Sequence, residues 1–336
     1  MNLTGHYDCG GHGAGRDRKG RQKPTISVAG YLATASQWYE HDRLWRKRLK
    51  ADGFTEFHMT DFMANSKDFQ KCKNWDESQK LAFLNDLIKI IVDNATFAIG
   101  MAVHRADYNK VFGEEPEAIH NGLGSPYAFC AFRCFESGAD WSIVHRSREE
   151  INYIFERGDP GADQVNETHK FLCEFEPLRR RYRLGSLTFE PKCNTSLQAA
   201  DLLTWALNRE LYHQYYPEPE YEFIRPTLTN LLASVDNMYK GYYEDDLRGY
   251  LKDLMDKKTR NRNKKKGRFS IMNIPQNLAQ SILDDLKARA ENYESKNSVP
   301  KVRRNNAGTI SGSSKRTPTK ARSRKASEAK KKKRKT

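Results

Sequence analysis

Along the first 215 positions, short runs of β-branched and aromatic residues alternate with longer runs whose apolar residues recur at helical spacing. This alternation constrains the fold more than any other feature. Strands that alternate with helices pack as a sheet with helices on both faces, so an α/β domain is expected. TISVAGYL (Thr25 to Leu32) reads as a strand. It is followed by QWYEHDRLWRKRLKADG, with Trp38, Leu44, Trp45 and Leu49 at helical spacing and Gly53 as a stop. FTEFHM is a short strand candidate. DESQKLAFLNDLIKIIVDN is a helix opened by Asp76 or Ser78. Further strands are expected in ATFAIGMAVHRADY, EEINYIFERGD and RLGSLTFEPK, the last of them closing the sheet. SPYAFCAFRCFESGADWSIV and NETHKFLCEFEPL read as helices, the first with a core-facing aromatic stripe at Tyr127, Phe129, Phe132 and Phe135. Residues 216–256 read as a helical appendage.

The net charge of +15 is unevenly placed. From Lys257 onward, 26 Lys and Arg stand against 5 Asp and Glu, so the preceding 256 residues carry a net −6. Residues 257–298 read as a basic linker with one amphipathic helix over 271–290. Leu278, Ile282, Leu283 and Leu286 share one face of it, a docking face for a protein partner. Residues 299–336 have almost nothing to bury and are expected to be disordered. Clustered Lys and Arg release counterions from a phosphate backbone, so the tail is expected to contact nucleic acid. It lacks the aromatic anchors of a membrane-binding segment. No apolar run reaches eighteen residues, and MNLTGHYDCGGHG has no basic and apolar leader, so a membrane or secreted protein is not expected. The six cysteines include no CxxC pair and read as reduced thiols of a cytoplasmic protein; in a eukaryotic cell KKKKRK would direct it to the nucleus.

Acidic residues gather where strands end. Asp8 lies in GHYDCGGHG, His58 and Asp61 in FHMTDF, Glu156 and Asp159 in YIFERGD. Asp201 lies in TSLQAADLLTWALNREL among Leu197, Ala199, Ala200, Leu202 and Leu203, where an isolated carboxylate is costly without a partner. Carboxylates contributed by separate elements are what Mg2+ or Mn2+ requires, and a pair of such ions supports phosphodiester cleavage. Asp8, Glu156, Asp159 and Asp201 are the candidate metal ligands. His58 and Asp61 are candidate catalytic residues, His58 to orient a phosphate or assist proton transfer.

The order of these segments resembles the domain of unknown function 3800 family, whose members look like the RNase H-like superfamily. The resemblance covers about residues 3 to 215 and rests on the first-strand Asp with its Gly-rich turn, VAGYLATASQWYEHDRLWRKRL, FHMTDF, INYIFERGD and LQAADLLTWALNREL. It implies an RNase H-like mixed sheet and an acidic site with one acid on the first strand, one near the end of the fourth and one on a late helix. By motif these are Asp8, then Glu156 or Asp159, then Asp201. Where the family has Asp-Glu-Ser-Gly this chain has Asp8-Cys9-Gly10-Gly11, so the adjacent Glu is missing. The resemblance implies a metal-dependent nuclease, or an inactive nucleic-acid-binding or scaffold protein on the same fold. For the nuclease, alanine at Asp8 or Asp201 is expected to abolish cleavage without unfolding the chain.

Overall fold

The structure, a computed structural model, describes residues 3–11, 23–113, 124–145, 149–159, 161–215 and 219–252. All of them belong to the first of two compact units, Met1–Glu291. The basic segment, the helix expected over 271–290 and the tail lie outside the described residues.

Six strands form one mixed sheet: β1 (Leu3–Gly10), β2 (Thr25–Thr34), β3 (Phe97–His104), β4 (Ile151–Glu156), β5 (Leu184–Glu190) and β6 (Asn237–Tyr242), in the order β5-β4-β1-β2-β3-β6. β1 pairs antiparallel with β2, from Leu3 opposite Thr34 to Gly10 opposite Ser27, and parallel with β4, from Leu3 opposite Ile151 to Tyr7 opposite Phe155. β4 and β5 are parallel, so β1, β4 and β5 end at the same edge of the sheet. In open α/β sheets that edge is where ligands bind.

The strands bury side chains on both faces, as expected of a sheet between two helical layers. On one side Tyr7, Val28, Leu32, Ile99, Tyr153 and Phe155 pack with α5 (Pro126–Val144) and α6 (Ala162–Glu174) through Phe129, Cys134, Phe135, Val165 and Leu172. α4 (Arg105–Phe112), α7 (Glu176–Arg181) and the helix over 244–252 add Tyr108, Leu178 and Leu247. On the other side Ala29, Tyr31, Ala33 and Ala98 meet α1 (Ala35–Ala51), α3 (Glu77–Asn94), α8 (Thr195–Tyr215) and α10 (Arg225–Ser234), with the short α9 (Pro219–Glu222) before the last. α3 is closed at its start by a reciprocal pair: the Asp76 carboxylate accepts the Gln79 N–H at 2.8 Å and the Asp76 N–H donates to Gln79 Oε1 at 3.0 Å. α1 has the same device at Thr34 and Gln37.

Two readings of the sequence change. FTEFHM is not a strand. Phe54 and Phe57, three residues apart, are buried against Phe62, Phe69 and Phe83, with ring centroids 4.6 to 6.1 Å apart. The chain then turns into α2 (Met59–Ala64), and a 3-10 helix follows over Lys67–Asn74. The second change concerns 216–256, which is not purely helical. It supplies β6, which pairs parallel with β3 and completes the sheet, so β5 is not the last strand.

Candidate active site

Asp8 and Glu156 come together through strand pairing alone. The parallel register places Tyr7 beside Phe155, and the next residues of β1 and β4 are Asp8 and Glu156. Tyr7 and Phe155 fill the core on the α5 side, so the alternation of a strand turns both carboxyls toward α8. Asp8 is only 4% exposed. Its carboxyl is held well above the usual carboxylate range, first by burial, then by the Asp201 charge and by hydrogen-bond contact with Glu156; Lys192 opposes the shift.

α8 brings the third acid. Asn194 opens the helix: its Oδ1 accepts the Ser196 N–H at 2.8 Å, and its Nδ2 donates to Glu190 Oε2 at 2.6 Å. Gln198, Asp201, Thr204 and Asn208 follow at helical spacing and form a polar seam against the sheet and the Phe57–Met59 segment. Gln198 Oε1 accepts both the Trp45 indole N–H at 2.8 Å and the Phe57 N–H at 2.9 Å. Thr204 Oγ1 donates to the carbonyls of Asp8 and Ala29 at 3.3 and 3.2 Å. Thr25 Oγ1 donates to Asn208 Oδ1 at 3.1 Å. This close approach needs Gly10, because a Cβ there would stand 1.8 Å from Asn208 Nδ2.

Asp201 is 5% exposed and fully engaged. Oδ2 accepts the Met59 N–H at 2.7 Å, at the open N-terminus of α2, whose N-cap residue His58 makes no side-chain cap. Oδ1 lies 3.2 Å from His58 Nε2 and 3.3 Å from Lys192 Nζ. Burial alone would raise its pKa. The His58 hydrogen bond, the Lys192 and His58 charges and the Met59 N–H outweigh burial and hold Asp201 below its ordinary range. A carboxylate in an apolar stretch is therefore explained by its partners.

His58 stands between two carboxylates. Its Nδ1 is 2.9 Å from Asp61 Oδ2 and its Nε2 faces Asp201. Burial lowers its pKa, but the Asp201 hydrogen bond and charge, with Asp61, leave it raised. Asp61 is itself tied to Lys67 Nζ at 2.9 Å and to the Ser66 hydroxyl at 2.9 Å, and joins the cluster through His58. Asp159 follows β4 after Gly158. Burial and the Glu156 charge push its carboxyl up to about 7, against the Lys192 charge and the contact with the Tyr127 hydroxyl. The sequence left Glu156 and Asp159 as alternatives, and the fold places both at this edge.

One residue at the centre was not singled out in the sequence. Lys192, in the turn after β5, places its ammonium 3.0 Å from Glu156 Oε2 and 3.3 Å from Asp201 Oδ1. Burial lowers its pKa, but Asp201, Asp8 and Glu156 together raise it. Its backbone carbonyl accepts from Gln198 Nε2 at 3.1 Å. A single Lys in a turn carries no periodic or motif signal. Gln198, three residues before Asp201 and on the same helix face, was detectable by spacing. Among the described residues, no three His, Cys, Asp or Glu side chains stand ready as a metal cage, and no helix is long and apolar enough to cross a membrane.

These shifts fix the sign of a pH effect. An acid with a raised folded-state pKa stabilises the fold at low pH, and that contribution is lost as pH rises through the raised value. For Asp159 the window runs from the ordinary 3.8 to about 7. In EDTA the melting temperature should therefore fall between about pH 4 and 7, and Asp159→Asn should flatten that slope. An unchanged slope in the variant would assign the effect elsewhere.

A scan against protein-family models and a search of curated proteins found no match to this chain.

Proposed function

We propose that this protein is a divalent-metal-dependent phosphoryl-transfer enzyme that cleaves nucleic acid, with Asp8, Glu156 and Asp201 as its metal-holding carboxylates. The observation that carries the reading is where these acids sit: one on β1, one at the end of β4, one on the helix after β5. This is the placement that the resemblance to the RNase H-like superfamily implies. Asp8 supplies the test of fit. It is buried, its neighbours Glu156 and Asp201 are also acids, and Lys192 opposes its shift. Such a hard-oxygen donor set with excess negative charge suits Mg2+ or Mn2+. When bound, the metal would supply an activated water and stabilise the departing oxygen. Asp201 keeps the His58 segment in register with the carboxylates, and His58, partly open to solvent, is placed to orient a phosphate. Asp159, with a pKa near neutrality, is suited to accept a proton.

The tail completes the reading. The first 256 residues carry a net negative charge and would repel nucleic acid, whereas residues 257–336 are strongly basic. Removing residues 257–336 should weaken nucleic-acid binding and flatten its dependence on salt. Unchanged binding would move the contact onto the body.

The test is calorimetric titration of MnCl2 into the full chain, followed by cleavage assays on labelled single- and double-stranded DNA and RNA. Metal binding with metal-dependent cleavage is expected. A second reading, an inactive nucleic-acid-binding scaffold, is favoured by Lys192 already pairing with Glu156 and Asp201 and by Cys9 where the resembled family has Glu. Nucleic-acid binding with no Mn2+ binding and no cleavage would favour that reading instead.

A further inference from the structure

Lys192 has the charge and the position of a placeholder. Its ammonium bridges Glu156 and Asp201 at 3.0 and 3.3 Å, carboxylates that reach it from β4 and α8. Those two acids and Asp8 all raise its pKa, and their charges would otherwise repel one another. The side chain is 28% exposed, so a route to solvent exists along its four-carbon stem. The backbone beneath it is pinned: Gln198 Nε2 holds the Lys192 carbonyl, and Asn194 ties the same turn to Glu190 and to the start of α8. The ammonium can therefore leave while the turn and its acids stay in place.

A divalent ion coordinated by Glu156 and Asp201 would occupy the same carboxylate oxygens. Two cations at contact distance in a half-buried site repel strongly. Resting on the metal-site reading above, we propose that Lys192 is a resident counter-cation that stabilises the metal-free site and must swing outward for a divalent metal to bind. Metal affinity is thus held below what the acids alone would give, and metal entry delivers an ammonium to the mouth of the site, where an anionic substrate would meet it.

The experiment uses the full chain as wild type, Lys192→Gln and Lys192→Arg, titrated with MnCl2 at low ionic strength and melted in EDTA. Lys192→Gln should bind Mn2+ at least about tenfold more tightly than wild type, since a competing charge is gone. It should melt at a lower temperature in EDTA, and excess Mn2+ should restore the loss. Lys192→Arg, which keeps the charge, should not show the gain. Wild-type affinity, or weaker binding, in Lys192→Gln overturns the proposal while leaving the metal site standing. Absence of binding in both wild type and Lys192→Gln removes the metal reading itself and the proposal with it. A measurement on the wild type covers the case of a poorly folding variant: amine labelling of Lys192, read by mass spectrometry, should rise several-fold when EDTA is exchanged for Mn2+. Unchanged or reduced labelling shows that the ammonium stays, and overturns the placeholder role.

Discussion

Asp8→Asn is expected to remove Mn2+ binding and to cut cleavage by about 10²–10³-fold or more, the scale seen when one group that stabilises transition-state charge is removed. The same substitution should leave the melting temperature in EDTA unchanged or higher. The two effects have one cause. Asp8 is buried beside Glu156 and Asp201, and burial and these acids all disfavour its charged form. In the metal-free protein these surroundings favour the neutral acid, and Lys192 opposes them only in part. Asn keeps the shape, drops the charge and can donate to Glu156, so the fold loses nothing. Opposite signs of function and stability mark a residue kept for its chemistry. A variant that melts several degrees lower and still binds Mn2+ would make Asp8 a structural residue and remove the first ligand from the site.

Much of the layered architecture could be read in the sequence because local signals and tertiary needs agree. The Asp76–Gln79 pair opens α3 where its side-chain chemistry requires, and the runs around Val28 and Ile99 are apolar enough to be buried on both faces. The acids at the strand ends were visible for a similar reason: Asp8, Glu156 and Asp201 interrupt otherwise apolar elements. FTEFHM is short and aromatic like a strand, but Phe54 and Phe57 lie three apart instead of alternating, and its hydrogen bonds are not those of a ladder. The N–H groups of Phe57 and Met59 are taken by Gln198 and Asp201, more than a hundred residues away, which no local pattern encodes. β6 was missed for the complementary reason. NMYKGY is an edge strand with Tyr242 as its fully buried side chain, and it is a strand because β3 offers an open edge. Lys192 was the costliest omission. Its importance lies in three carboxylates converging on one point, a property of the fold and not of the turn that carries it.

That convergence also changes what Asp201 is expected to do. Asp201→Ala should destabilise the protein by about 3 kcal/mol, the scale for breaking a buried charged network by removing one partner. The substitution leaves the Met59 N–H without an acceptor and removes a carboxylate from both His58 and Lys192. The expectation that alanine here spares the fold is therefore not what the geometry supports: Asp201 is a helix cap and an ion-pair partner as well as a candidate ligand. The pH dependence separates these roles. Asp201 has a lowered pKa, so its contribution is present above its ordinary 3.8 and lost as pH falls through the folded value. His58 has a raised pKa, so its contribution is present below its ordinary 6.5 and lost as pH rises through the folded value. The stability gap between wild type and Asp201→Ala in EDTA should therefore be widest between about pH 4 and 6.5 and narrow above it, as His58 gives up its proton. Asp201→Asn, which can still accept from Met59, should lose less. A pH-independent loss in Asp201→Ala that Asp201→Asn escapes entirely would mean that the cap carries the whole effect and that the His58–Asp201 pair contributes nothing to the fold.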